Sequence, residues 1–157
     1  ESNRYQLLFF SCALTLVPVV VAGAKQLTNI YCPNQLIIFG GDKPYIKLLE
    51  HFPGYIDSMK KGYCFPAGHA TTGFGFMALY FVFLRPKLRI TGLWFGIIFG
   101  WVLGIFQMLR GEHFLSHTIF SMVAAWLVIA LLFALFKYCF NVASRPLSKH
   151  GYGFSFS

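Results

Sequence analysis

The residues of this chain that could do chemistry are concentrated in RGEHFLSH, residues 110–117. This stretch holds Arg110, His113 and His117, and Gln107 lies just before it. On a continuous helix these four residues, spaced three and four apart, would share one face. The spacing therefore predicts a polar helical stripe of one amide, one guanidinium and two imidazoles.

This combination of side chains suits phosphoryl transfer. A neutral imidazole can attack phosphorus and form a phosphohistidine, while a partner at its second nitrogen fixes the tautomer. An arginine fork matches phosphate oxygens, and a second, protonated histidine can donate to the leaving oxygen. The alternative is interfacial anchoring by Arg and His, which explains one charge but not a stripe of four polar residues. Ionisable residues at a membrane span favour a functional interpretation.

A second polar cluster lies in GYCFPAGHATTGFG, residues 62–75. Pro66 disfavours helix at the residue before it, so we expect a helix to begin near Gly68 and to carry His69 in its first turn. Unpaired backbone N–H groups at a helix start can bind an anion such as phosphate. The alternative is that His69 only caps a membrane helix.

The remainder of the chain must position these residues in a bilayer. It is 57% hydrophobic and 11% charged, against about 25% charged in soluble domains, which indicates an integral membrane protein. We predict an all-α, polytopic transmembrane helical bundle that forms a single membrane domain, residues 1–157. Four segments are long enough to cross a bilayer, which requires about 20 residues, namely about 7–24, 68–84, 90–109 and 118–140. They leave a loop at 25–65, a turn at 85–89 and a flexible tail at 141–157.

The third predicted span carries a glycine at every fourth position: Gly92, Gly96, Gly100 and Gly104. Glycines at this spacing lie along one face of a helix and allow another helix to approach closely. We expect an interior helix here.

Basic residues predict the orientation. The turn RPKLR, residues 85–89, holds three positive charges and should be cytoplasmic. Lys25 and both polar clusters then lie at the non-cytoplasmic face. The net charge is +8, and the basic residues flank apolar spans. This arrangement favours a role in membrane orientation over nucleic-acid binding. Four loop lysines could attract an anionic substrate or form a solvated surface: Lys43, Lys47, Lys60 and Lys61.

None of the four cysteines forms a C-x-x-C pair, so a zinc or thioredoxin-like motif is not indicated. Cys32 and Cys64 share one loop. A disulfide between them is possible if that loop faces an oxidising compartment.

The chain resembles the type 2 phosphatidic-acid phosphatase superfamily, whose pattern is K-x-x-x-x-x-x-R-P, then P-S-G-H, then S-R-x-x-x-x-x-H-x-x-x-D. The corresponding stretches are KQLTNIYCP, PAGH and FQMLRGEHFLSH, in the same order at the ends of spans one, two and three. Members usually have six spans, so the resemblance implies the C-terminal part of a six-helix core, with two N-terminal helices expected to be missing.

The resemblance implies a role for each matching residue. Lys25 would bind phosphate, Gly68 would offer its backbone and His69 would be the general acid. His113 would be the nucleophile and His117 would orient it.

The chain departs from the pattern at several positions. Cys32 stands at the arginine of the first block, Ala67 at the serine and His117 at the aspartate. Gln107 and the residue before it occupy the S-R positions, and Arg110, one turn on, is expected to supply the missing guanidinium from the same face. An alternative alignment makes His117 the nucleophile with Arg110 in the arginine role.

The resemblance implies a metal-free membrane phosphatase without cofactors. It would hydrolyse a lipid phosphate through a phosphohistidine at the outer face of a bacterial cytoplasmic membrane. Candidate substrates are phosphatidic acid, phosphatidylglycerol phosphate, undecaprenyl pyrophosphate and lipid A phosphate. The alternatives are a lipid-to-lipid phosphotransferase, an inactive scaffold, and a haem- or metal-binding membrane protein using His113 and His117. The lipid and the oligomeric state stay open.

Overall fold

The structure, a computed structural model, describes residues 2–48 and 61–143. This part of the chain forms α1 Ser2–Thr28, α2 Gly68–Phe74, α3 Leu79–Val82, α4 Pro86–Leu109 and α5 Leu115–Ala143. A short 3-10 helix, Gly75–Ala78, joins α2 to α3, and two more, Pro33–Gln35 and Ile37–Phe39, lie after α1. The described residues contain no β-strand beyond an isolated bridge. The predicted all-α fold is confirmed.

Three helices in the described ranges, α1, α4 and α5, are long and apolar enough to cross a membrane. They contain the first, third and fourth predicted spans, and Pro18 lies inside α1 without ending it. The second predicted span is not one of these three helices, because its residues form α2, the 3-10 helix and α3, with 7, 4 and 4 residues. The architecture is that of a helical membrane bundle.

The core of the bundle lies where α1, α2 and α5 meet. Val17, Phe74 and Ile129, one from each of these helices, are fully buried. Large apolar side chains also point outward, such as Trp94 on α4 and Leu131 on α5. An apolar exterior is expected for helices that face lipid.

The glycines of α4 bring α2 and the segment after it into close contact with this helix. A Cβ atom built on Gly96 would collide with the backbone of Met77, and one on Gly100 would collide with the ring of Phe74. Farther along, a Cβ on Gly104 would lie 2.5 Å from Cγ2 of Thr118 on α5. The predicted glycine face is confirmed, and its physical role is close helix packing.

The loop after α1 lies over one end of the bundle and is tied to two other segments. The Asn34 N–H donates to the Gly111 carbonyl at 2.9 Å, and the Cys64 N–H donates to the Ile30 carbonyl at 2.8 Å. A disulfide joins Cys32 to Cys64, so the pairing that the sequence left open is formed. Three distant stretches of chain therefore meet at the end of the bundle that holds the candidate site.

Candidate active site

Lys25, Gly68 and His69 meet where α1 ends and α2 begins. Lys25 lies in the last turn of α1, and α2 begins at Gly68, so His69 lies in its first turn as predicted. A Cβ built on Gly68 would lie 3.1 Å from the Lys25 Nζ atom. The glycine therefore leaves the space in which the lysine ammonium group reaches the backbone at the start of α2.

The chain reverses direction between α4 and α5 in a tight turn. Gly111 has a φ of 70°, in the left-handed region that glycine adopts without steric cost. Its N–H donates to the Met108 carbonyl at 2.9 Å, and the Glu112 N–H donates to the Gln107 carbonyl at 3.0 Å. These two bonds form a Schellman motif, a common way to end a helix.

This turn overturns the prediction of one shared helical face. Because α4 ends at Leu109, Gln107 lies on α4, Arg110 and His113 lie in the turn, and His117 lies on α5. Arg110 therefore does not supply its guanidinium from the same helix face as the two histidines. A glycine directly after a periodic apolar segment is the sequence feature that predicts such an end.

Most of the predicted residues nevertheless line one cavity of about 300 Å³. Five residues that the sequence singled out line it: Lys25, His69, Gln107, Arg110 and His113. Gly68 lies beside it through its contact with Lys25. The cavity is also lined by Cys32, Tyr63 and Glu112, which the sequence analysis did not assign to the site.

Two of these additional residues have recognisable partners. The Glu112 carboxylate lies 3.9 Å from the Arg110 guanidinium, so it competes for the group expected to bind phosphate. Cys32 is bonded to Cys64, and both cysteines lie close in sequence to the predicted motifs. Their possible pairing is the sequence feature that could have placed them near the site, and Tyr63 has no comparable feature.

His113 is buried, with 6% of its surface exposed. Its Nδ1 atom lies 3.4 Å from the Cys64 Sγ atom. Burial, followed by the positive charge of Lys25, lowers the pKa of His113 to about 4. The imidazole is therefore neutral at pH 7 and keeps a lone pair on one ring nitrogen.

His117 lies behind His113 rather than in the same cavity. The two ring centroids are 5.8 Å apart, and the His117 ring packs edge-on against Phe65 at 5.0 Å and Phe114 at 5.3 Å. The Nδ1 atom of His117 has no hydrogen-bond partner among the described residues. His117 lines a second cavity of about 340 Å³, which is also lined by Ile30, Ile46 and Leu48.

The predicted loop lysines divide among a third cavity, the cavity beside His117 and the part of the chain that the structure does not describe. Lys43 and Lys61 line a wide cavity of about 610 Å³ that also reaches Cys32. Lys47 lines the cavity beside His117. Lys60 lies outside the described residues.

Comparison with known proteins gives one match. A family model described as the PAP2 superfamily matches residues 6–141. No curated protein and no solved structure matches the chain. The matched range covers the predicted spans and every residue that lines the 300 Å³ cavity.

Proposed function

The chain belongs to the PAP2 superfamily, and from this premise we propose that it is an integral membrane phosphatase that hydrolyses a lipid phosphate monoester or pyrophosphate. Membership itself supports a phosphatase-type activity on phosphate esters. The observation that carries the proposal is the convergence of Lys25, His69 and His113 on one cavity.

His113 is the proposed nucleophile. Since its Nδ1 atom faces Cys64, Nε2 is the nitrogen left to attack phosphorus. A bond forms between Nε2 and phosphorus as the bond from phosphorus to the lipid oxygen breaks, which yields a phosphohistidine. The neutral imidazole at pH 7 supports this role.

His69 is the proposed general acid. It is exposed and lines the same cavity as His113. In the first step it donates a proton to the leaving lipid oxygen, and in the second step it accepts a proton from the water that cleaves the phosphohistidine. Inorganic phosphate then leaves the site.

The phosphate group is held by positive charge and by donors. Lys25 and the Gly68 backbone lie against each other, and they would bind the non-bridging oxygens together. Arg110 and Gln107 also line the cavity. Such a set of preorganised donors stabilises the charge that develops on phosphorus in the transition state.

His117 is proposed to position His113 by packing. Its ring lies 5.8 Å from that of His113 and is itself held between Phe65 and Phe114. Its Nδ1 atom has no hydrogen-bond partner within residues 2–48 and 61–143. A steric role therefore replaces the charged partner that the superfamily's aspartate would provide.

A lipid is the proposed substrate class because apolar surface borders the site. The loop after α1 exposes Ile37, Ile38 and Phe39, each with at least 60% of its surface accessible. Beside His117 lies the second cavity, with the apolar residues Ile46 and Phe65 in its wall. Surfaces of this kind suit a headgroup that stays attached to its acyl or prenyl chains. With RPKLR cytoplasmic, the site faces the outer leaflet of a bacterial cytoplasmic membrane.

The test is phosphate release by the purified protein in detergent, without added metal, from phosphatidic acid, phosphatidylglycerol phosphate, undecaprenyl pyrophosphate and lipid A. Wild type is compared with His113→Ala and with Thr91→Ala, an exposed site on α4 far from the cavity. Release by wild type and Thr91→Ala, with loss in His113→Ala, is the expected result. Equal release by all three proteins contradicts the proposed nucleophile. No release by any of them on any lipid contradicts the enzymatic proposal.

A further inference from the structure

Two sulfur atoms lie within 4.8 Å of a ring nitrogen of the proposed nucleophile, His113. We propose that Cys32, Cys64 and His113 form a binding site for a thiophilic divalent cation such as Zn²⁺ once the disulfide is reduced, and that the bound metal switches the phosphatase off. The site belongs to the reduced protein, whereas the disulfide form is the active one.

The ligand atoms are already close to the required arrangement. The two Sγ atoms and a His113 ring nitrogen all lie within 4.8 Å of one another, and the Nδ1 atom is 3.4 Å from the Cys64 Sγ atom. Tetrahedral zinc with bonds of about 2.3 Å to sulfur and about 2.0 Å to nitrogen requires a sulfur–nitrogen separation of roughly 3.5 Å. After reduction the two sulfur atoms must move apart, and the Cys32 Sγ atom must take up the same separation from the ring nitrogen.

A reductant can reach the disulfide from one side. Cys32 is partly exposed and lines both the 610 Å³ and the 300 Å³ cavities, whereas Cys64 is fully buried. A thiolate of an external dithiol attacks the Cys32 Sγ atom, the sulfur–sulfur bond breaks and Cys64 leaves as a thiolate. The second thiol of the reductant then displaces Cys32, and the reductant leaves as a cyclic disulfide. Two electrons pass to the protein.

The backbone around the site has supports other than the disulfide. The hydrogen bonds from Cys64 to Ile30 and from Asn34 to Gly111 connect the same segments. Reduction therefore leaves two thiolates and one imidazole held by the fold, which is the preorganisation that metal binding needs.

The bound metal removes the nucleophile. Two thiolates neutralise a divalent cation, which offsets the repulsion from nearby Lys25. When the Nδ1 lone pair of His113 binds the metal, the remaining ring proton resides on Nε2, which then has no lone pair to attack phosphorus. This consequence rests on the proposed function, whereas the binding of the metal does not.

The closing experiment uses Co²⁺ as the probe, because thiolate coordination gives it a charge-transfer absorption band. The full chain is reduced with a phosphine, freed of reductant under nitrogen and titrated with Co²⁺ beside the oxidised protein. We expect one Co²⁺ per chain with the thiolate band in the reduced protein only, and its displacement by one equivalent of Zn²⁺. Phosphate release should fall with the same stoichiometry in the reduced protein and not in the oxidised one.

Variants assign the ligands. Cys32→Ser and Cys64→Ser should each lose stoichiometric binding, and His113→Gln should shift the band or lose it. Cys12→Ser removes a free, half-buried cysteine on α1 and should bind as wild type does. Absence of the band in reduced wild type overturns the site, as does a band that survives in both cysteine variants. If the band forms but no activity exists to inhibit, the metal site stands and the proposed function fails.

Discussion

At the scale of single residues, the neutral form of His113 is the property on which the proposed chemistry depends. Burial and the charge of Lys25 lower the pKa of His113 to about 4. Because this pKa is depressed, the imidazole stays neutral as pH falls from 7 and becomes charged only near pH 4. We expect modification of His113 by diethyl pyrocarbonate, which requires neutral imidazole, to have its midpoint near that pH. Mass spectrometry of the peptide that contains His113 measures it. A midpoint at the ordinary value of 6.5 would contradict this environment.

The contact between Lys25 and Gly68 predicts a second effect at this scale. Lys25→Met removes the ammonium group beside the Gly68 backbone. Removal of one such preorganised donor should lower kcat/KM by about 10²-fold. The matched control is Lys87→Met, since Lys87 is exposed on α4 at the opposite end of the bundle. Steady-state phosphate release measures both variants, and an equal loss in the two would contradict the proposed role of Lys25.

At the scale of elements, the glycine face of α4 holds the second span against it. In Gly96→Ala the new Cβ meets the Met77 backbone, which has no flexible side-chain end to move. We expect a loss of about 1–3 kcal/mol in the free energy of unfolding. In Gly23→Ala on α1, nothing lies within 4 Å of the new Cβ, so helix propensity should leave stability unchanged or raised by up to about 1 kcal/mol. Thermal unfolding in detergent compares the two, and a Gly96→Ala protein as stable as Gly23→Ala would contradict this packing.

The turn between α4 and α5 makes a separate prediction. Gly111 has a φ of 70°, and alanine in this region costs roughly 1–2 kcal/mol. Gly111→Asn brings the same Cβ atom toward Asn34, at 3.3 Å, but asparagine tolerates the left-handed region better. Gly111→Ala should therefore unfold at a lower temperature than Gly111→Asn. The opposite order would mean that crowding, rather than backbone conformation, decides the cost.

Hydropathy was sufficient to predict the apolar helices, and local turn geometry was what it could not supply. The end of α4 at Leu109 agrees with the predicted span, because apolar periodicity stops there. The prediction that Gln107, Arg110 and His117 share one helical face was wrong. It assumed that the helix continues through Gly111, where the backbone adopts a left-handed conformation. The second span was predicted as one helix, yet its backbone passes through a 3-10 helix, which short apolar stretches do not reveal.

At the scale of the whole molecule, the orientation in the membrane is open to direct measurement. If the turn at residues 85–89 is cytoplasmic, a cysteine at Lys87 should react with a membrane-impermeant maleimide only after the cells are broken. A cysteine at Asp42, an exposed residue of the loop after α1, should react in intact cells. Cys12 and Cys139, the free cysteines of the described residues, are replaced by serine beforehand. The reverse labelling pattern would contradict the orientation.

The sequence predicted several residues that line the candidate cavity, but it did not predict which side chains contact one another. Lys25, His69 and His113 were identified from three short motifs, and they line one cavity. The disulfide contacts His113, and His117 lies behind it. Both positions depend on how segments distant in sequence pack together. Sequence spacing within one motif carries no information on such contacts.

The assembly of one cavity from segments distant in sequence also has a consequence for biosynthesis. The cavity combines Lys25 from α1 with His69 from α2 and His113 from the turn between α4 and α5. Membrane helices insert in the order in which they are synthesised. The polar residues of α1 and α2 therefore enter the membrane before the turn that carries His113 exists. The cavity is complete only once the turn before α5 has formed, so a chain stalled before that point would be inserted without it.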